Sequence, residues 1–542
     1  MPVSPPATLM RLLGKEHASI PELLRAQAEH QPEHIYLREG SAGWGFAEVL
    51  ERAERFAGFA RSLGLASDTE RIATFLSKRR EAYLARFGTL LAGSVHVALH
   101  REQRDLLLQD MLARSRAALL VTEAAAWEVL APLEVRSLRH LLFVDAIPNA
   151  ARDALPSTWR HVALHTPEGI QQTTPWAGVT PKPSDCASVL FTSGTTGRSK
   201  GVLMPHNQFV RGGARIAKAW GIGKADVFHD WMPLYHVGGQ LHATMTALAA
   251  GACLALFPRF STTRFWEQVG LSGATVALGF ANMGAYLLAE PEHPEHTQNT
   301  LRVVLLGNAT AELQNAFEHR FRVRVVDSYG MTEAEPLTLP VPGATPPGSC
   351  GPVSPDFEVA ILDEADAPLP ADAVGHVAVR PRAPFVMMQG YDGEPQATVE
   401  SWRNLWFHTR DLGRLDAAGI FWFCGRERDA LRRGGENISA RDLERVLMIH
   451  PGIGDCAVVA VTPAPGAEAE IKAVVSPAEG ASLDASEVHA FCTDRLARFM
   501  VPRYVEILTR LPYTQVGKIR REDLTELTPL TWDAYRQGTA SS

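Results

Sequence analysis

Leu190-Phe-Thr-Ser-Gly-Thr-Thr-Gly-Arg-Ser-Lys-Gly-Val202 runs from an apolar stretch into a chain of hydroxyls, glycines and one lysine. Gly194 and Gly197 permit a turn in which successive backbone N–H groups converge, and such a concavity attracts anions. Thr192, Ser193, Thr195 and Thr196 add hydroxyl donors, and Lys200 adds a positive charge. The stretch reads as a cradle for a nucleotide polyphosphate. A P-loop needs Gly-Lys followed by Ser or Thr. Here Lys200 follows Ser199 and precedes Gly201, so the motif is a different one.

Around this loop, residues from about 20 to 330 alternate short apolar runs with longer stretches of helical periodicity. Runs at 187–192, 274–279, 302–306 and 323–327 predict strands, and Leu313, Ala316, Phe317 and Phe321 predict a crossover helix over 311–321. That rhythm belongs to a doubly wound α/β fold. From about 350 to 425 the pattern changes to Pro- and Gly-punctuated strands at 357–362, 375–380 and 419–424. Beyond lie a helix at 440–449, strands near 456–461 and 471–475, a helix at 485–498 and a strand at 504–508. The expected organisation is a large N-terminal α/β domain over 1–425, with a β-rich subdomain near 350–425. A small α+β C-terminal domain over 426–525 and a patternless tail over 526–542 follow it.

A chain of 542 residues is too long for one compact core and implies two or more domains. Net charge is −7, without a basic block to track a nucleic-acid backbone or an anionic membrane. No apolar run reaches the ~20 residues of a membrane span, and Met1-Pro-Val-Ser-Pro-Pro lacks the order of a secretory signal. The expected location is cytoplasmic, with neither nucleic acid nor membrane insertion as a partner. Six scattered cysteines contain no C-x-x-C pair, so they predict buried thiols rather than a zinc site or a disulfide framework. His293 and His296 sit in a Pro-rich stretch that reads as a solvated turn, without a function.

Seven segments together resemble the signatures of the adenylate-forming superfamily, which includes acyl-CoA synthetases, luciferases and peptide-synthetase adenylation domains. They are the loop at 190–202, Pro233-Leu-Tyr-His-Val-Gly-Gly239, Tyr329-Gly-Met-Thr-Glu333, His408-Thr-Arg-Asp-Leu-Gly413, the pair Gly425-Arg-Glu-Arg-Asp429 and Arg432-Arg-Gly-Gly-Glu-Asn-Ile438, and Leu511-Pro-Tyr-Thr-Gln-Val-Gly-Lys-Ile-Arg520. They occur in the superfamily's order across nearly the whole chain. Phe265-Trp-Glu-Gln-Val, Ser328-Tyr-Gly-Met-Thr-Glu, Arg433-Gly-Gly-Glu-Asn and Phe499-Met-Val-Pro-Arg-Tyr are similar to the crotonobetaine/carnitine-CoA ligase branch.

The resemblance implies roles for individual residues. Thr192, Ser193, Gly194, Thr195, Thr196, Gly197 and Lys200 would hold phosphate, with Glu333 and Thr196 on Mg²⁺. Gly307, Asn308, Ala309, Asp327, Ser328, Tyr329, Gly330, Thr332, Asp411 and Arg426 would bind AMP, with Tyr329 against the purine. Asp411 would accept both ribose hydroxyls, as a carboxylate does well. Arg428 would be the hinge, and Arg433, Gly434, Gly435 and Glu436 would line the CoA tunnel. His236, Gly238, Gly239, Phe280, Ala281, Asn282, Gly307, Gly330 and Met331 would form the acyl pocket. Lys518, with Thr192, Glu333 and His236, would be catalytic; without its motif, Lys518 would read as an ordinary solvated lysine.

The implied activity is ATP-dependent acyl-CoA ligation, in which a carboxylate becomes an acyl-adenylate and then passes to CoA as the C-terminal domain alternates between two positions. The pocket residues are mostly small or apolar, which predicts a bulky, largely apolar acid. Two departures bear on the adenylation step: Ser199 stands where the superfamily commonly has Pro, and Gln515-Val516 stand where a small hydroxylated residue usually precedes the glycine. Two alternatives follow. One is an enzyme that performs only the thioesterification half-reaction, on an adenylate supplied by a separate adenylating enzyme. The other is a non-catalytic AMP- or acyl-adenylate-binding protein. Homodimerisation is left open.

Overall fold

Apolar β-branched runs, each followed by a helix, lay down two parallel-rich sheets in the computed structural model. It describes residues 18–101, 103, 105–153, 155–192, 200–426, 431–433, 436–438, 440–463, 470–496, 500–514 and 519–535. The chain divides into two compact units. One comprises Met1–Glu358 with Pro381–Ser401, the other Val359–Arg380 with Trp402–Ser542.

In the first unit, one sheet has eight strands and the other seven. The eight-stranded sheet places Cys186–Thr192 parallel to Val95–Ala98 and antiparallel to Lys200–Pro205. The seven-stranded sheet sets Val227–Asp230, Val276–Phe280, Val303–Gly307 and Arg324–Val326 side by side, all parallel. Cys186–Thr192, Val276–Phe280, Val303–Gly307 and Arg324–Val326 agree with the four apolar runs within a few residues at each end, the usual limit of boundary prediction.

The helix Ala311–Phe321 matches its predicted span. Thr310 caps it by accepting from the Leu313 N–H at 3.2 Å, and Arg322 ends it in the left-handed conformation at φ 60°. Such a cap is worth about 1 kcal/mol. Phe317 and Phe321 pack edge to face at 4.5 Å in a core with Trp266, Val304 and Leu306. Burial of each ring contributes roughly 1.5–3 kcal/mol.

In the second unit, Phe357–Leu362, Gly375–Pro381, Trp406–Leu415 and Ile420–Arg426 are successive neighbours in one sheet. A four-stranded sheet follows, made by Ile453–Val461, Glu470–Pro477, Tyr504–Ile507 and Trp532–Asp533. Its core joins Leu443 and Leu447 of the helix Ala440–Met448 to Val458, Val475 and Val488. Three local expectations change. The helix predicted over 485–498 ends at Thr493, with Asp494 as its cap and closing bonds from the Arg495 and Leu496 N–H groups to Cys492. Within the stretch 526–542, expected to be a patternless tail, Trp532 and Asp533 pair with Val505 and Tyr504; two residues are too few to show a period. His296 is buried rather than solvated, lying 5.2 Å from the Trp266 ring and 5.6 Å from Phe321.

All six cysteines are free thiols, five of them buried. Among the described residues no helix is long and apolar enough to cross a membrane.

Candidate active site

Four adjacent parallel strands of the seven-stranded sheet end on one edge, and the candidate residues follow directly from those ends. The carboxyl end of a parallel sheet is where α/β folds bind ligands, because loops and helix N-termini converge there. Asp230 leads into Trp231 and the turn at Pro233–Gly239; Phe280 leads into Ala281 and Asn282; Gly307 leads into Asn308 and Ala309; Val326 leads into Asp327, Ser328 and Tyr329. Phe280 is the register partner of Gly307. The Asn308 N–H donates to Asp327 Oδ1 at 3.2 Å, joining two of these loops, and Asn308 holds φ 65°.

The Pro233–Gly239 turn depends on its glycines. A Cβ at Gly239 would stand 2.2 Å from the Pro233 carbonyl oxygen, and one at Gly238 would stand 2.6 Å from Met232 Cε. Gly238 N–H donates to His236 Nδ1 at 3.0 Å, fixing the ring of an otherwise exposed histidine. The turn then enters a π-helix over Gly238–Met245, a form frequent at functional sites.

Tyr329 is buried, and its N–H donates to Thr338 Oγ1 at 2.8 Å. Gly330 has no room for a side chain: a Cβ would lie 2.3 Å from a carboxylate oxygen of Glu335, which is itself held by His242 Nε2 at 2.7 Å. Met331 and Ala334 bridge in a tight turn, which brings Glu333 back beside the strand Lys200–Pro205 by way of residues 387–392.

Thr192 and Lys200 are register partners, with Thr192 Oγ1 donating to the Lys200 carbonyl at 3.4 Å. The loop between them therefore springs from an antiparallel pair, not from a strand–helix junction. Ser193, Gly194, Thr195, Thr196, Gly197 and Ser199 lie outside the described residues, as do Arg428, Gly434, Gly435, Gln515, Val516 and Lys518. In the second unit, Asp411 is buried and pairs in register with Arg426 across the strands Trp406–Leu415 and Ile420–Arg426. Its N–H donates to Thr409 Oγ1 at 3.2 Å. Arg433 and Glu436 are register partners in a two-stranded hairpin.

Sequence reading overlooked two residues that the fold brings to this edge. Trp231 donates its indole N–H to the Leu278 carbonyl at 2.8 Å and meets Phe280 edge to face at 6.4 Å, with Phe260 at 5.9 Å. Its position two residues before Pro233 was the available signal. Tyr391 donates its hydroxyl to Glu333 Oε1 at 2.8 Å and lies under the Lys200 ammonium, 4.8 Å from the ring centroid. No local pattern marked it.

The Glu333 carboxylate suits a hard divalent cation, which takes one or two carboxylates and completes its shell with water and substrate phosphate. A cluster of three or more His, Cys, Asp or Glu side chains, the mark of an all-protein metal cage, is absent among the described residues.

Comparisons with known proteins identify the family. The family model for AMP-binding enzyme matches residues 24–392, and that for the AMP-binding enzyme C-terminal domain matches residues 442–518. The crotonobetaine/carnitine–CoA ligase of Salmonella paratyphi B is 31% identical over 491 residues, covering 89% of this chain and 93% of that protein. The ligase of the same name from Escherichia coli O7:K1 is 32% identical over 496 residues, with the same two shares. Among solved structures, ATP-bound MatB from Rhodopseudomonas palustris superposes with a TM-score of 0.82 at 23% identity, covering 93% of this chain and 98% of that one. A benzoate CoA ligase from Burkholderia xenovorans LB400 gives 0.82 at 24% identity, covering 94% and 100%. The chain belongs to the AMP-binding enzyme family, within the adenylate-forming superfamily.

Proposed function

We propose that the protein is an AMP-forming acyl-CoA ligase that activates a bulky, largely apolar carboxylic acid. The observation that carries this reading is the convergence of four strand ends, bearing Trp231 with His236, Phe280, Gly307 with Asn308, and Asp327 with Tyr329, on one edge of a parallel sheet. The indole N–H of Trp231 is already engaged by the Leu278 carbonyl, so the ring offers hydrocarbon to its surroundings. Together with Phe280 and Phe260 it supports an apolar acyl group.

In the reaction, a carboxylate oxygen of the acid attacks the α-phosphorus of ATP, a P–O bond to pyrophosphate breaks, and an acyl-adenylate forms. The thiolate of CoA then attacks the acyl carbonyl, and AMP leaves with the electron pair of the broken C–O bond. Tyr329 offers an aromatic face to the purine, Asp411 accepts from the ribose hydroxyls, and Gly307 to Ala309 line the nucleotide. Lys200 and the hydroxyls of 192–196 hold the departing pyrophosphate. Glu333, with Thr196, is the assigned holder of Mg²⁺, which supplies charge neutralisation along the phosphates when bound. Lys518 stabilises negative charge at the α-phosphate, since a fixed cation where charge develops lowers the barrier. The segment 433–436 serves the second step, with residues 426–525 turning about Arg428 between the two. The reaction belongs to the cytoplasm.

A second reading, thioesterification alone on a preformed adenylate, is favoured by Ser199 and by Gln515-Val516, which alter both loops of the adenylation step. Two assays separate the readings: pyrophosphate release from ATP plus a panel of acids, and CoA consumption with a synthetic acyl-adenylate. Activity in both supports the complete ligase, and activity in the second alone supports the half-reaction. Activity in neither, with AMP binding retained, supports a non-catalytic nucleotide-binding protein. Equal turnover of carnitine and an apolar acid overturns the acid assignment.

A further inference from the structure

Two side chains of opposite charge, distant in sequence, converge on one phenol. Tyr391 donates its hydroxyl to Glu333 Oε1 at 2.8 Å, while Lys200 Nζ stands over the face of the same ring at 4.8 Å. A carboxylate and an ammonium at such a site ordinarily pair with each other, which would cancel the charge each offers to a ligand. The ring gives each a different partner. The carboxylate takes an O–H that leaves its negative charge in place, and the ammonium rests on the negative face of the π system.

The phenol is itself held from several directions. The Tyr391 backbone N–H donates to Thr398 Oγ1 at 2.8 Å, and Tyr391 is the register partner of Val202 on the strand that begins with Lys200. The next residue, Asp392, donates its N–H to the Gly201 carbonyl at 2.7 Å. Its carboxylate takes two bonds from Arg71, at 2.6 and 2.9 Å, and one from Arg116 at 2.6 Å. On the other side, the Met388 N–H donates to the Glu333 carbonyl at 2.7 Å. Residues 388–392 thus strap the Glu333 segment to the Lys200 strand, with Tyr391 between the two charged heads. A residue needed only for packing would not require a hydroxyl at this point.

We propose that Tyr391 is a positioning residue for the magnesium and pyrophosphate side of the site, orienting Glu333 toward the cation and holding Lys200 apart from it. This rests on the adenylating reading above and adds to it a residue outside the recognised motif segments.

The test uses the full chain and Tyr391→Phe, which keeps the ring and removes only the hydroxyl. ATP binding is measured by calorimetry across a Mg²⁺ titration, in the unaltered protein, Tyr391→Phe, Glu333→Gln and the double variant. The expected result is an about tenfold rise in the Mg²⁺ concentration for half-maximal ATP binding in Tyr391→Phe, as expected for a lost hydrogen bond to a charged group. In the Glu333→Gln background the same change should add less than twofold, because the hydroxyl acts through the carboxylate. A Mg²⁺ dependence unchanged in Tyr391→Phe, or an equal penalty in both backgrounds, overturns the inference alone. Failure of the unaltered protein to bind ATP with Mg²⁺ overturns the adenylating reading and this inference with it.

Discussion

The Lys78 ammonium lies 2.8 Å from Asp230 Oδ2, with 3% and 0% of the two side chains exposed. The pair joins the loop after the strand Arg71–Phe75, in the eight-stranded sheet, to the end of Val227–Asp230 in the seven-stranded sheet. Tyr83 adds a hydroxyl bond to Asp230 at 2.6 Å, and Lys78 Nζ also donates to the Met232 carbonyl at 2.5 Å. Burial pulls the ammonium below its usual pKa, against the opposing pull of Asp230. The start of the Trp231–His236 segment is therefore fixed by an ion pair between the two sheets. Lys78→Met strands the Asp230 charge and should destabilise the protein by about 3–5 kcal/mol, read as a lower urea midpoint.

Trp231 should govern the acid and leave the nucleotide alone. Trp231→Ala removes the ring against Phe280 and Phe260, and KM for an apolar acid should rise about tenfold or more. KM for ATP should stay within twofold. Pyrophosphate release with each substrate varied in turn checks this, and a larger change in KM for ATP contradicts it.

Gly330→Ala should damage the nucleotide edge through Glu335. The added methyl would sit 2.3 Å from Oε2 of the buried Glu335 carboxylate, whose Oε1 His242 holds, so the turn must shift. A stability loss of about 1–3 kcal/mol is expected, with a larger relative loss of ATP affinity because Tyr329 is the preceding residue. Thermal melting and calorimetric ATP titration on the same sample measure both.

Stability should fall in mild acid. Burial lowers His206 to about 3 and His229 to about 4, and it takes His96 well below the usual range; the Arg86 charge adds to the effect at His206 and His96. Folding keeps these rings neutral, so below about pH 6.5 the unfolded chain binds more protons than the folded one. Their contribution is complete above that pH and is lost as pH drops toward 4. Each ring can contribute a slope of up to about 1.4 kcal/mol per pH unit. Urea midpoints at pH 7.5, 6.0 and 5.0 should decline in that order.

Ser199→Pro should raise the rate of pyrophosphate release several-fold while leaving CoA consumption from a synthetic adenylate unchanged. Proline narrows the conformations open to the loop proposed to hold pyrophosphate. An unchanged pyrophosphate rate would mean that Ser199 does not limit adenylation.

Elements whose causes are local could be read along the chain. Thr310 and the spacing of Leu313, Ala316, Phe317 and Phe321 set the helix Ala311–Phe321, because a cap and a 3.6-residue period need only neighbours along the chain. The reading of the hydroxyls and glycines at 192–197 as a phosphate cradle rested on composition and order alone. Tertiary structure decided what depends on strand order. Tyr391 reaches Glu333 across 58 residues, and Lys78 reaches Asp230 because two sheets meet at their strand ends. Trp231 lies against Phe280 because Val227–Asp230 and Val276–Phe280 are neighbours in a sheet, although another strand lies between them in sequence. Hydrophobic period tells each segment to be a strand or a helix; it carries no instruction about which strand lies beside it, and contacts between side chains follow from that choice.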